Sequence, residues 1–145
     1  MLNQQDGVIH HTRQRSKGAF MNRSVLVVED DAIQRAAIVH WLADAGYHVV
    51  GVGHPRQALQ AASFRQFSVV VLDLSLPEID GIELMRRLQR CQVAAHYIIT
   101  SGFDYSKRHA SAIGAHACLQ KPFSRAQFEA AVAKAYDAAL ATPVA

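Results

Sequence analysis

Cysteine is scarce in this chain of 145 residues. Cys91 and Cys118 are the only two, too few for a disulfide framework and, by themselves, for a zinc site. The eight histidines do not change that, because none falls in a short-spaced Cys/His cluster; the one adjacent pair, His10-His11, reads as solvated. A reducing compartment is expected. Long apolar runs are also missing: the clean ones are short, such as Val25–Val28 and Val69–Leu72, where a membrane span needs roughly 20 residues. The first residues, with Asp6 and two glutamines, lack the apolar core of a signal peptide. The expectation is a cytoplasmic protein that does not engage a membrane.

A basic domain is missing too, despite a net charge of +3. Residues 1–23 carry Arg13, Arg15, Lys17 and Arg23 against Asp6 alone, so the whole excess lies there and residues 24–145 are neutral. That argues against direct nucleic-acid binding by the domain. Half the residues are hydrophobic and 19% are charged, enough apolar surface to offset ordering entropy, and the length suits one core. Residues 1–21 read as a flexible basic arm, 22–140 as one domain and 141–145 as a short tail. Met21-Asn22-Arg23 would make a natural translation start, so residues 1–20 read as an upstream extension. With so short a tail, no output domain is expected after the last helix.

From Ser24 onward, β-branched runs alternate with amphipathic stretches. Val25–Val28, continuous and apolar, suits a strand buried on both faces of a parallel sheet. Further strands are expected at Tyr47–Val52, Ser68–Leu72, Tyr97–Thr100 and Ala117–Leu119. A first helix is carried by Ile33, Ala36, Ala37, Trp41 and Leu42 and stops at Gly46. Others follow at Pro55–Ala62, opened by proline, at Ile82–Leu88 and around Ser106–Ile113. Ser124 and Gln127 form a capping box for the last, which runs through Phe128, Val132 and Tyr136 to about Leu140. Trp41 and Phe128 are assigned to the core, and His96 to the approach of the fourth strand. Five strand-helix pairs in order predict an α/β fold, a doubly wound five-stranded parallel sheet whose site lies beyond the strands' carboxyl ends.

Those ends carry Glu29-Asp30-Asp31, Asp73, Thr100-Ser101 and Lys121-Pro122. Singly, each has an ordinary reading as a cap, a helix-start acid or a surface lysine. Jointly, they place carboxylates, a hydroxyl and an amine around one pocket. Hard oxygens from Glu29, Asp30 and Asp73 suit Mg²⁺, at about 2.0–2.1 Å, better than zinc. An aspartate there can attack phosphorus, with Ser101 and Lys121 binding the remaining phosphoryl oxygens. The product would be an aspartyl phosphate.

The motifs Val25-Leu26-Val27-Val28-Glu29-Asp30-Asp31, Leu72-Asp73-Leu74-Ser75-Leu76-Pro77 with Asp80-Gly81, Ile99-Thr100-Ser101-Gly102, and Gly114-Ala115 followed by Lys121-Pro122-Phe123 resemble the receiver domain of two-component response regulators. The resemblance spans roughly Asn22 to Leu140. It implies strand order 2-1-3-4-5 in a flavodoxin-like sheet, and phosphorylation of Asp73 by a histidine kinase or phosphotransfer protein. It further implies Mg²⁺ held by Glu29, Asp30, Asp73 and the Ser75 backbone carbonyl, Ser101 as switch hydroxyl with Thr100 as the alternative, and Lys121 on the phosphoryl group. A cis Lys121-Pro122 bond is expected on the same ground. Cys118 stands where many such domains carry a switching Tyr or Phe, and Phe103 reads as a loop aromatic packed on the rim.

Such a module signals through a surface recognised by a downstream protein, with homodimerisation left open, and is not a turnover enzyme. The rival from the enzyme class is an aspartate-nucleophile phosphatase of the haloacid dehalogenase kind. That chemistry normally needs a second acid two positions after the nucleophile, where this chain has Ser75. A flavodoxin-like cofactor binder is disfavoured, since no Ser/Thr/Gly-rich loop follows the first strand.

Overall fold

A computed structural model describes residues 23–76, 79–92, 94–103 and 111–141. Five strands, β1 (Ser24–Val28), β2 (His48–Val52), β3 (Val69–Asp73), β4 (His96–Ser101) and β5 (Ala117–Gln120), form one parallel sheet in the order β2-β1-β3-β4-β5. The described helices are α1 (Ala32–Asp44), α2 (Pro55–Phe64), α3 (Gly81–Cys91) and α4 (Arg125–Ala141). None of them is long and apolar enough to cross a membrane. The expected helix around Ser106–Ile113 falls mostly on residues 104–110, outside the described set, and so do the arm, the end of the tail and Pro77.

β1 and β3 are buried at every position because both sheet faces are covered. Successive side chains of a strand point to opposite faces. Leu26, Val28, Val70, Leu72 and Ile99 meet Ala58 of α2 and Leu84, Met85 and Leu88 of α3 on one side. Val25, Val27, Val69, Val71 and Ile98 meet Ile38 and Leu42 of α1 and Phe128, Val132 and Tyr136 of α4 on the other. Fully burying one such side chain contributes roughly 1.5–3 kcal/mol.

The helix starts follow local chemistry. Asp31 caps α1 by accepting from the Ile33 and Gln34 amides, 3.0 Å each. Pro55 opens α2, and Asp80 caps α3. At α4 the capping box closes in both directions: the Ser124 amide donates to Gln127 Oε1 at 2.8 Å, and the Gln127 amide to Ser124 Oγ at 3.0 Å.

Three placements in the strands and helices differ from the sequence expectation. Ile33 is 84% exposed, because five positions before Ile38 puts it about 140° around the helix; the buried stripe of α1 runs instead through Ile38 and Leu42. Trp41 is only half-buried, tilted against Phe128 with ring centres 5.9 Å apart. His96 is the first residue of β4 rather than its approach, since its amide already donates to the Ser68 carbonyl. Arg23 is held by the fold: its guanidinium lies 4.6 Å over Tyr47 and 5.1 Å from Tyr136, and it donates to the Ala45 and Gly46 carbonyls where α1 ends.

At the opposite end of the sheet from the acidic motifs, Gln92 is fully buried where α3 stops. Its Oε1 accepts from the Phe67 amide at 2.8 Å, and its Nε2 donates to the Ala62 and Arg65 carbonyls at 2.9 and 2.6 Å. One side chain thus satisfies three backbone groups between the last turn of α2 and the start of β3.

Candidate functional site

The carboxyl edge of the sheet gathers the acidic residues because β1 and β3 are adjacent and in register, Val28 beside Leu72, so both chains leave the sheet at one level. Glu29, Asp30 and Asp73 each offer a carboxylate oxygen within 4.8 Å of the others. Glu29 and Asp73 are 2% and 3% exposed, whereas Asp30 is open to solvent. Asp31 stands apart, its carboxylate committed to the α1 cap.

Lys121, directly after β5, reaches across β4 into this cluster. Its Nζ donates to Glu29 Oε1 at 2.8 Å and to Asp73 Oδ2 at 3.1 Å. The second oxygen of each acid is also engaged: the Asp31 amide donates to Glu29 Oε2 at 3.1 Å, and the Ser75 amide to Asp73 Oδ1 at 2.9 Å. The backbone is anchored beside it, as the Lys121 amide donates to the Ser101 carbonyl at 2.7 Å. The Lys121-Pro122 peptide is cis, as expected.

Burial raises the Glu29 pKa, with the Asp73 charge adding to it, and the bonds from Lys121 and the Asp31 amide offset only part of that. Burial alone would push the Lys121 ammonium down. The hydrogen bonds and charges of Glu29 and Asp73 outweigh it, so the lysine ends above its ordinary value and stays charged. Three carboxylates facing one ammonium leave the pocket negative and lined with hard oxygen donors, a set that can hold a divalent cation such as Mg²⁺.

Thr100 is paired with Asp73 in register, and Ser101 closes β4 one position on. Both are buried, and Ser101 Oγ accepts from the Phe103 amide at 2.9 Å. The Phe103 ring is 71% exposed, so it does not pack on the rim: its backbone serves Ser101 while its side chain projects outward. Cys118 is half-buried at the edge of the α2/α3-side core, with no ring there to rotate. The loop after β3 is pressed against α3 at Gly81, where an added Cβ would lie 2.6 Å from Leu74 Cα and 2.8 Å from its carbonyl oxygen. Glycine there allows the close approach that seats Ser75 beside Asp73.

The sequence profile of the response regulator receiver domain matches residues 25–133. The chain belongs to the response regulator receiver family. Among curated relatives, it is 33% identical over 109 residues to the transcriptional regulatory protein PdtaR of Mycobacterium tuberculosis, an alignment covering 73% of this chain and 53% of that protein. The chain therefore spans about half the length of that relative. A solved response regulator receiver domain protein (CheY-like) from Methanospirillum hungatei superposes with a TM-score of 0.74 at 20% identity, covering 80% of this chain and 94% of that one. A response regulator protein from Burkholderia pseudomallei, solved with a phosphorylated aspartic acid and a calcium ion, gives 0.68 at 25% identity, covering 83% and 75%. Receiver domains are signalling modules phosphorylated by histidine kinases or phosphotransfer proteins, and they bind Mg²⁺ at an acidic pocket.

The sequence motifs named every member of the acidic pocket. They did not disclose the Glu29–Lys121 ion pair, because the two residues are 92 positions apart and each was assigned to a different ligand, the metal or the phosphoryl group.

Proposed function

We propose that this receiver is a phospho-acceptor whose Asp73 takes one phosphoryl group from a histidine kinase or phosphotransfer protein in a Mg²⁺-dependent reaction. The observation that carries the reading is the buried Asp73 carboxylate, bridged by Lys121 to Glu29 and clustered with Asp30. An Asp73 oxygen attacks phosphorus as the P–N bond to the donor breaks; the bond's electron pair stays on that nitrogen, and because the donor ring carries a proton on its other nitrogen it leaves as neutral histidine, giving an aspartyl phosphate. Lys121, already charged and beside Asp73, stabilises the negative phosphoryl oxygens. Glu29, Asp30, Asp73 and the Ser75 carbonyl would hold Mg²⁺. Bound there, the ion neutralises charge on the transferring group.

Ser101 is assigned as the switch hydroxyl, with Thr100 as the alternative. Accepting a bond from the Phe103 amide still leaves a hydroxyl its own hydrogen to donate, here to a phosphoryl oxygen. The response then passes to the chain after Ser101 and to a surface read by a downstream protein. With Cys118 in the usual aromatic place, a loop movement carries it in preference to a ring flip. Incubation with Mg²⁺ and a small phosphodonor should load about one phosphoryl group per chain with slow release. Sustained release of inorganic phosphate over many turnovers would instead support the haloacid dehalogenase-like phosphatase reading.

Two further results are expected from metal titration. Asp30→Asn removes one negative ligand and should weaken Mg²⁺ at least about tenfold; an unchanged affinity would remove Asp30 from the metal's coordination. Because Glu29 binds a proton more readily than an ordinary glutamate, acid competes with the metal early. Mg²⁺ affinity should begin to fall at a pH above the usual glutamate value of 4.5 and continue down as Glu29 protonates. Glu29→Gln should shift that onset to lower pH, and identical pH profiles for the two proteins would refute the assignment.

A further inference from the structure

We infer that Arg35 is a positioning residue for the metal-binding loop, an inference that rests on the Mg²⁺ reading above. Arg35 lies in the first turns of α1, and its side chain runs back across the carboxyl end of β2. There its Nη1 donates to the Glu29 backbone carbonyl at 2.8 Å. Glu29 is the residue at which β1 leaves the sheet: its amide donates to the Val52 carbonyl of β2 at 3.0 Å, while its own carbonyl looks away from the ladder to the guanidinium. A backbone carbonyl leaving a sheet in a part-buried setting requires a donor. The guanidinium supplies one with the extra strength of a charge-assisted bond.

The route is open because Gly53, beneath the guanidinium, lacks a side chain. A Cβ on Gly53 would lie 2.5 Å from Arg35 Nη1 and 3.3 Å from its Cζ. A Cβ on Gly51 would sit 2.7 Å from Val39 Cγ2 and within ordinary contact of the Arg35 stem, 3.5 Å from Cγ. Gly51 and Gly53 thus form the floor of a channel that holds the arginine flat against the sheet's end.

The consequence reaches Asp30 through the peptide that joins it to Glu29. That unit is planar, so pinning its oxygen also sets the direction of the Asp30 amide and of the N–Cα bond on which the Asp30 side chain is carried. Asp30 is the exposed member of the three-carboxylate cluster, lacking the burial that restrains Glu29 and Asp73. Its orientation depends on backbone support more than theirs does. Groups that orient metal ligands without touching the ion typically govern 10–100-fold in affinity. Arg35 meets that description through a backbone carbonyl.

The test uses the full chain and Mg²⁺ alone, titrated by calorimetry, with urea unfolding measured separately in metal-free buffer. Arg35→Met keeps the apolar stem and removes the donor; it should weaken Mg²⁺ about tenfold or more. Arg35→Lys, which can still donate to the same carbonyl, should recover part of that loss. Gly53→Ala, which leaves Arg35 in place but fills its channel, should weaken Mg²⁺ similarly. The double variant should be no weaker than Arg35→Met alone, since both changes break one interaction. At saturating Mg²⁺ the phosphorylation rate should return to the wild-type value, which a general loss of fold would not allow.

Wild-type Mg²⁺ binding with an affinity unchanged within about twofold in Arg35→Met would overturn this inference and leave the phospho-acceptor reading standing. Additive losses in the double variant would also overturn it. A wild-type chain that binds no Mg²⁺ would overturn the metal reading itself, and this inference with it.

Discussion

Asparagine in place of Asp73 is expected to lower phosphoryl uptake on the order of 10³-fold or more, the scale seen when a nucleophile is removed from a catalytic centre. The amide oxygen carries no full negative charge with which to attack phosphorus, and the cluster loses one of its three anionic oxygens. The hydrogen bonds sharpen the prediction. Both Asp73 oxygens are acceptors, one for the Ser75 amide and one for Lys121 Nζ. An asparagine can satisfy only one of these donors, because its NH₂ group must face the other in either orientation. Lys121 keeps Glu29 as a partner in that case, and relief of the repulsion among three carboxylates opposes the lost bond. The variant should therefore stay folded while losing the acceptor. Labelling with a cognate kinase or a small phosphodonor, followed by acid-labile phosphate analysis and circular dichroism, measures both properties. Labelling that persists in the folded D73N protein would place the acceptor elsewhere and remove the core of the proposed function.

What the sequence made legible here is what local pattern and topology determine. Val25–Val28 and Val69–Leu72 are apolar at every position because each strand is covered on both faces, and a run of that kind has few alternatives once helices flank it. Parallel strands joined by right-handed crossovers must all end on one rim, so the residues after them share a pocket whatever the details of packing. That is why the sequence could place Glu29, Asp30, Asp73 and Lys121 on one rim, where the fold brings them together. Caps were legible for the same local reason, as the Ser124–Gln127 box shows. What escaped depends on contacts between distant segments or on angles finer than a spacing count. Ile33 fits a loose helical period but lies on the wrong side of α1. Arg23 adds to the N-terminal charge excess in the sequence, but its place over Tyr47 and Tyr136 depends on segments far along the chain. Nothing in the sequence sets Arg35 apart from other helical arginines, since its bond to the Glu29 carbonyl depends on Gly53, in the turn after β2.

Gln92 is the largest omission, and its substitution should have the largest effect on stability. Nothing in the sequence separates it from the polar residues around it at the end of α3. In the fold, its side chain serves three backbone groups of the α2–β3 connection, and its own carbonyl accepts from the Tyr97 hydroxyl at 3.2 Å. Gln92→Leu keeps the volume, so packing itself changes little. It leaves the Phe67 amide and the Ala62 carbonyl buried without their partner, while the Arg65 carbonyl is part-buried and can turn partly to water. At about 1–3 kcal/mol for each buried group left unsatisfied, the loss should reach about 3 kcal/mol, a large share of the roughly 5–15 kcal/mol that holds a domain folded. For a chain of this length that corresponds to a melting temperature lower by roughly 10 °C. The site lies at the other end of the sheet, so Mg²⁺ affinity and phosphoryl uptake below the transition should match the wild type. Urea unfolding checks the first expectation and metal titration the second. A loss below about 1 kcal/mol would mean that water or a shifted backbone replaces the amide, and the side chain would then not be what holds the α2–β3 connection against α3.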